Sequence, residues 1–223
     1  MHKYAAYVTE LIGTFFLVFT VGASVLIGSP LAPLAIGAAL MVMVYAGGHV
    51  SGGHYNPSVT MGVLLRRRIE VADAVAYWVS QVVGGVLGAA VAYWVVNPRR
   101  VALLSLSGRS WLAAALAEAL FTFALAYVML NVATSSSNPN NSFYGLAIGF
   151  TVTAGIIAVG PISGGMFNPA VVLGALVMGL ISWYTAALYL VVQLLAGAVA
   201  GVVFLALNPD EVQSRPRVEE AAR

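Results

Sequence analysis

Ser51-Gly-Gly-His-Tyr-Asn-Pro-Ser-Val-Thr60 recurs 112 residues later as Ser163-Gly-Gly-Met-Phe-Asn-Pro-Ala-Val-Val172. Both copies interrupt hydrophobic sequence. An apolar chain carries Asn-Pro turns at membrane depth only where their polar backbone is buried in protein or faces water. The duplication runs well beyond the motif. From Leu34 to Val59, 12 of 26 positions are identical to their counterparts between Leu146 and Val171, and Gln81 matches Gln193 at the same offset. Glu10-x-x-x-Thr14-Phe15 recurs as Glu118-x-x-x-Thr122-Phe123, offset 108, so the first loops of the two halves differ by four residues. The chain is a two-fold repeat along nearly its whole length.

Composition places that repeat in a membrane. The chain is 61% hydrophobic and 8% charged, with mean hydropathy +0.92, against about 25% charged residues in soluble domains. The net charge of +2 belongs to loops and tail, which gives nucleic-acid binding no support. With no cysteine, disulfide and thiol chemistry are excluded. The first apolar segment is too long for a signal-peptide core and reads as retained.

Six segments are long enough to cross a core of about 30 Å: Tyr4 to Ile27, Leu31 to Val50, Ala72 to Val96, Trp111 to Ala133, Phe143 to Gly160 and Trp183 to Leu207. Two shorter stretches, Asn56 to Leu65 and Asn168 to Met178, are left over; at 1.5 Å per residue each reaches about half the membrane. Asn caps a helix and Pro at the first helical position needs no donor partner, so both read as half-helices starting near the midplane. The expected fold is therefore an all-α membrane protein. It has six transmembrane helices plus two re-entrant half-helices in an inverted repeat. A single transmembrane unit spans 1–207, its repeats about 4–97 and 111–207, followed by a polar cytoplasmic tail, 208–223, expected to be mobile.

Three spans per repeat turn the second copy upside down. With the N-terminus inside, Lys3, Arg66, Arg67, Arg68, Arg215, Arg217 and Arg223 are cytoplasmic while Arg99, Arg100 and Arg109 are outside, in keeping with the positive-inside rule. Arg66 to Arg68 reads as a topology and lipid-headgroup signal. Asn140-Asn-Ser142 has the form of a glycosylation sequon but falls in an inner loop.

Inversion also makes the half-helices meet N-terminus to N-terminus, each bringing a partial charge of about +0.5 and unpaired N–H groups. Cations and protons meet a barrier there. A neutral hydroxylic molecule meets the amides of Asn56 and Asn168 as donors. Extended backbone before each Asn is expected to expose carbonyls: Gly52, Gly53, His54 and Tyr55 on one side, Ser163, Gly164, Gly165 and Met166 on the other. Acceptors leading to central donors form a ladder for water or polyols. Nothing in the motifs asks for a cofactor or a metal; His49 and His54, with no Asp, Glu or Cys nearby, make a poor metal site.

On these residues the chain resembles the aquaporin (major intrinsic protein) family from Tyr4 to Leu207. The paired motifs Asn56-Pro57-Ser58 and Asn168-Pro169-Ala170 carry the likeness, with the Glu-x-x-x-Thr-Phe of the first and fourth spans. The resemblance implies a pore through each protomer, a homotetramer in the cell membrane with both termini cytoplasmic, and passive conduction of water or small neutral solutes without ions or protons. Two positions depart from the family pattern. Ser58 replaces Ala, adding a hydroxyl near the central constriction. Val171 stands where the family usually has the arginine of its outer selectivity filter; by register the other filter positions are Ile36, Ile156 and Gly165. Such a filter has no side-chain donor and no charge, and it implies solutes larger than water: glycerol, urea, ammonia or undissociated metalloid hydroxides. A strict water channel is the alternative.

Glu10 and Glu118 lie inside spans, where an ionisable group is by default a functional candidate. No ladder of titratable groups continues from them, and their repeat symmetry makes them scaffold carboxylates that accept N–H groups of the re-entrant loops. Gln81 and Gln193 are expected to tie loops inside the bundle, and Gly84, Gly85, Gly88, Gly197 and Gly201 to let helices approach. An ion-coupled transporter can share inverted repeats and broken helices, but these breaks carry only Asn, Ser and Gly. An enzyme would need a nucleophile with a base, or metal ligands, and none is visible.

Overall fold

The computed structural model describes residues 3–104, 106 and 109–213. Arg215, Arg217 and Arg223, counted in the charge asymmetry, lie outside the described residues. Among the described residues, six helices are long and apolar enough to cross a membrane. They are α1 (Lys3–Leu26), α2 (Ala32–Ser51), α4 (Val71–Val96), α5 (Arg109–Met129, continued by a wider turn of π type, Leu130–Thr134), α6 (Tyr144–Ser163) and α8 (Trp183–Leu207). Between them stand two nine-residue helices, α3 (Pro57–Leu65) and α7 (Pro169–Val177), and a last short turn, α9 (Asp210–Gln213), follows α8. The boundaries shift from the expected ones by one to three residues, most at the end of α6, which continues past Gly160 and through Pro161 to Ser163. A proline removes one intrahelical N–H bond, and here Ser163 is pinned beyond it by Glu118 and Tyr189.

The repeats interlock. The half-helix of each repeat packs on the last span of the other, α3 on α8 and α7 on α4, while α2 and α6 pair across the interface. Glycines make the approach possible. A Cβ at Gly85 would lie 2.9 Å from the Ala170 carbonyl, and one at its repeat mate Gly197 would collide with the Ser58 carbonyl. Lipid-level helix packing rests on such small residues because apolar surface alone gives no drive to associate in a membrane. The outer faces are apolar at four-residue spacing, as in Val79, Val83, Leu87 and Val91 of α4 or Leu112, Leu116 and Leu120 of α5. Inside, Leu17, Val18, Leu40, Val44, Leu125, Met129 and Phe167 belong to one continuous core around the half-helices.

Candidate functional site: a lumen between two half-helices

Each re-entrant loop is built the same way. The preceding span ends in a left-handed glycine, Gly52 or Gly164 (both φ 88°). Gly53 (φ 64°) and Gly165 (φ 65°) follow, then a non-glycine residue in the same sparsely populated region, Tyr55 (φ 47°) or Phe167 (φ 50°). An aromatic residue held left-handed costs on the order of 1–3 kcal/mol and persists only when its surroundings dictate it. Those surroundings are a buried carboxylate. Glu10 accepts from the N–H groups of His54 (2.9 Å) and Tyr55 (2.7 Å), from the Ser51 hydroxyl (2.7 Å) and from Gln81 Nε2 (2.8 Å). Glu118 accepts the matching four from Met166 (2.9 Å), Phe167 (2.7 Å), Ser163 (2.7 Å) and Gln193 (2.8 Å). Both carboxylates are fully buried, and every one of these donors would otherwise be stranded in an apolar interior.

Extended Asn residues then open the half-helices. The Asn56 side-chain oxygen caps Ser58 N–H at 2.8 Å and that of Asn168 caps Ala170 N–H at 2.9 Å. Their amide nitrogens cross over. Asn56 Nδ2 donates to the Phe167 carbonyl (2.9 Å) and Asn168 Nδ2 to the Tyr55 carbonyl (2.8 Å). A primary amide has two N–H donors, so each Asn keeps one for the lumen after tying its half-helix to the opposite loop.

Beside this junction lies a cavity of about 190 Å³, room for several water-sized molecules. Ile36, Ile156, Gly165 and Val171 line it, as do Asn56 and Asn168, and Gly53, His54, Gly164 and Met166 border it. Its remaining wall is aliphatic, from Leu17, Val21, Leu40, Val59, Leu125, Ile148 and Val152. Among the described residues, His54, Asn56 and Asn168 are the only side chains on the wall with hydrogen-bonding nitrogen or oxygen. A Cβ on Gly165 would come within 3.1 Å of the Ile156 backbone, so both its dihedral and its packing require glycine. Pro57, Pro169 and Ala170 are buried within the half-helices.

Three sequence expectations change in position. Ser58 does not line the cavity. It is fully buried and its Oγ has no hydrogen-bond partner, because the second position of α3 faces the close contact with α8. The Tyr55 and Ser163 carbonyls are not free rungs of a ladder: Asn168 takes the first, and the Tyr189 hydroxyl donates to the second at 2.7 Å. Gly52 borders other cavities, at the face where the described chain begins and ends, rather than the one between the half-helices.

Two features at that face were not legible from sequence. Arg66, read as a headgroup residue, is buried. Its Nη2 donates to the Glu211 carboxylate (2.9 Å) and to the Thr134 carbonyl (2.6 Å), and its guanidinium lies 4.5 Å from the Phe204 ring centroid. Glu211, in the segment expected to be a mobile tail, also accepts from Arg68, the hydroxyls of Ser135 and Ser136 and the Ser136 N–H. Burial works to raise the Glu211 pKa, but the Ser136 groups and Arg66 outweigh it and hold the carboxyl at about 2. Nearby, Lys3 pairs with Asp73 at 3.2 Å and Tyr7 donates to Asp73 at 2.6 Å.

Half-helices meeting head to head beside an aliphatic lumen define a membrane pore of the re-entrant class. Comparison with known proteins agrees: the family model described as major intrinsic protein matches residues 1–161 and 105–221. The chain is 41% identical over 178 residues to glycerol uptake facilitator protein-like 6 of Lactiplantibacillus plantarum, covering 76% of this chain and 81% of that one. It is 32% identical over 219 residues to probable aquaporin TIP5-1 of Arabidopsis thaliana, covering 92% and 85%. The fold is that of the aquaglyceroporin from Plasmodium falciparum, solved by X-ray, with TM-score 0.74 at 20% identity, covering 95% of this chain and all of that one. The chain belongs to the major intrinsic protein family.

Proposed function

We propose that the protein is a passive channel for water and for small neutral solutes of the size of glycerol, urea, ammonia or undissociated metalloid hydroxides, and not an enzyme or an ion-coupled transporter. The observation that carries this reading is the lumen wall. It is largely aliphatic, is bordered by residues of both re-entrant loops (Gly53, His54, Gly164, Gly165 and Met166), and has the amide-bearing Asn56 and Asn168 on it. A neutral molecule with hydroxyl or amide groups finds acceptors and donors in turn. A cation meets two half-helix N-termini and no carboxylate, since Glu10 and Glu118 are consumed by the loops. Water and small polyols or amides are therefore its partners, together with lipid at the apolar outer faces.

Ile36, Ile156, Gly165 and Val171 act as the outer filter, and their lack of charge and of side-chain donors admits solutes larger than water. The likeness to a glycerol uptake facilitator supports that choice. The unit from 1 to 207 works as one channel, assembles as a homotetramer through its apolar faces, and sits in the cell membrane with both termini cytoplasmic. The clustering of Lys3 and Arg66 to Arg68 at one face supports this orientation.

Val171→Arg tests the filter. A guanidinium at this level narrows the passage and supplies water donors, and glycerol flux in proteoliposomes is expected to fall about tenfold relative to water. Unchanged glycerol and water fluxes would remove Val171 from the constriction.

A further inference from the structure

The two half-helices end on the same turn and finish it with different chemistry. After α3 the chain reads Arg66-Arg67-Arg68, and after α7 the repeat mates are Met178-Gly179-Leu180. Their backbones agree. Arg66 N–H donates to the Gly62 carbonyl (2.9 Å) and Met178 N–H to the Gly174 carbonyl (3.0 Å). The next residue is left-handed in both, Arg67 at φ 65° and Gly179 at φ 72°. Arg66 and Met178 are both buried, 3% and 1% exposed. One repeat thus accepts a thioether where the other carries a guanidinium. Since well-packed hydrophobic residues can replace a buried ion pair without loss of stability, packing alone does not explain the arginine.

Its surroundings point to a ligand. Arg66 Nη2 (2.9 Å), Arg68 Nη2 (3.2 Å), the hydroxyls of Ser135 (3.1 Å) and Ser136 (2.8 Å) and the Ser136 N–H all donate to the Glu211 carboxylate. Guanidinium, hydroxyl and backbone N–H donors converging on one point are the set with which proteins hold phosphate oxygens. From this geometry we propose that Arg66, Arg68, Ser135 and Ser136 form a binding site for a phosphate group, which the chain's own Glu211 fills as a tethered stand-in.

The carboxylate leaves part of the site unused. Two guanidinium groups meet one carboxylate, and among the described residues Glu211 is the acidic partner of both. A guanidinium offers paired N–H groups that an oxyanion can take two at a time. Glu211 takes Nη2 of Arg66, while the buried Nε and Nη1 have no hydrogen-bond partner among the described residues. A phosphate group brings up to a second negative charge and a third acceptor oxygen. The site is also within reach of the aqueous face. Arg68, Ser135 and Ser136 line a cavity of about 380 Å³, and the Arg68 side chain is 32% exposed. Glu211 itself lies on the four-residue turn Asp210–Gln213, joined to α8 through Asn208 and Pro209. Exchange of its carboxylate for a phosphate frees that turn and leaves the arginines in place. A phospholipid headgroup and a soluble phosphate present the same chemistry to these donors, and the inference does not depend on what the lumen conducts.

The chain has no cysteine, so Asp210→Cys, at an exposed position beside Glu211, takes a single spin label that reports the motion of the turn. Labelled protein in phosphatidylcholine proteoliposomes receives inorganic phosphate on both sides at constant ionic strength. A parallel sample has phosphatidic acid in the bilayer and no free phosphate. Faster label motion is expected in at least one arm; the phosphate arm identifies a soluble ligand and the phosphatidic acid arm a headgroup. An unchanged spectrum in both arms would overturn the site. A second comparison removes the competitor, whose effective concentration is about millimolar or higher. Glu211→Gln is expected to bind inorganic phosphate at least about tenfold more tightly than the wild type by calorimetry, and Glu211→Gln/Arg68→Gln to lose that gain. Equal affinity in the wild type and Glu211→Gln would contradict the tethered stand-in. The labelling arms keep Glu211 intact and decide the matter even where Glu211→Gln does not fold.

Discussion

The two re-entrant loops share a skeleton and differ in what they show the lumen. Glu10 and Glu118 each take four donors from matching groups, the glycine and aromatic dihedrals agree within a few degrees, and Tyr77 and Tyr189 hydroxyls both donate to the residue before the glycines at 2.7 Å. On the lumen side the match stops. His54 and Thr60 of the first loop have Met166 and Val172 as their counterparts in the second. The Tyr55 hydroxyl donates to the Met43 carbonyl at 3.0 Å, while Phe167 leans on Phe121. The skeleton fixes where the half-helices stop. Of these residues His54 and Met166 border the cavity, so the two loops offer it an imidazole and a thioether at matching positions.

If the skeletons are equivalent, breaking either should hurt alike. Glu10→Ala and Glu118→Ala each strand four buried donors, and each is expected to destabilise the protein by about 3–5 kcal/mol, read as thermal unfolding in detergent. A loss confined to one of them would break the symmetry of the cradle. The next effect sharpens the comparison at the centre. Asn168→Asp puts a carboxylate where two helix N-termini meet, and cation leak in proteoliposomes is expected to rise at least about tenfold; cation exclusion unaltered in that variant would mean the half-helix dipoles are not the barrier.

The smallest effect lies outside the repeats, where no counterpart exists. The Glu211 carboxyl sits at about 2 in the folded chain against an ordinary 4.5. Its contribution to stability is thus complete above about 4.5 and is lost as pH falls toward 2. Glu211→Gln should lower the melting temperature by about 2–4 °C at neutral pH and flatten that acid dependence. An equal acid dependence in both proteins would show that other carboxylates carry it.

Most of this architecture is legible in the chain because internal repetition doubles every signal. Asn-Pro appears twice in register, Glu-x-x-x-Thr-Phe appears twice, and each half-helix is too short to span. What escapes is whatever depends on a neighbour from the other repeat or from the tail. Ser58 looks like a lumen hydroxyl until α8 covers it. Tyr55 and Ser163 carbonyls look free until Asn168 and Tyr189 arrive. Met129 is one apolar residue among many in its span, and no periodicity separates a core methionine from one beside a pore. Arg66 and Glu211 stand 145 positions apart, in a loop and a tail that read as solvated polar sequence.

The central claim is that an aliphatic outer filter without its arginine passes solutes larger than water. Stopped-flow light scattering on proteoliposomes of the unaltered protein tests it most directly, by comparing shrinkage in an impermeant osmolyte with re-swelling in glycerol and urea. The account predicts fast shrinkage followed by fast re-swelling in both solutes. Fast water flux with no solute entry would contradict it, leaving backbone and sterics alone to make a pore that only water can cross.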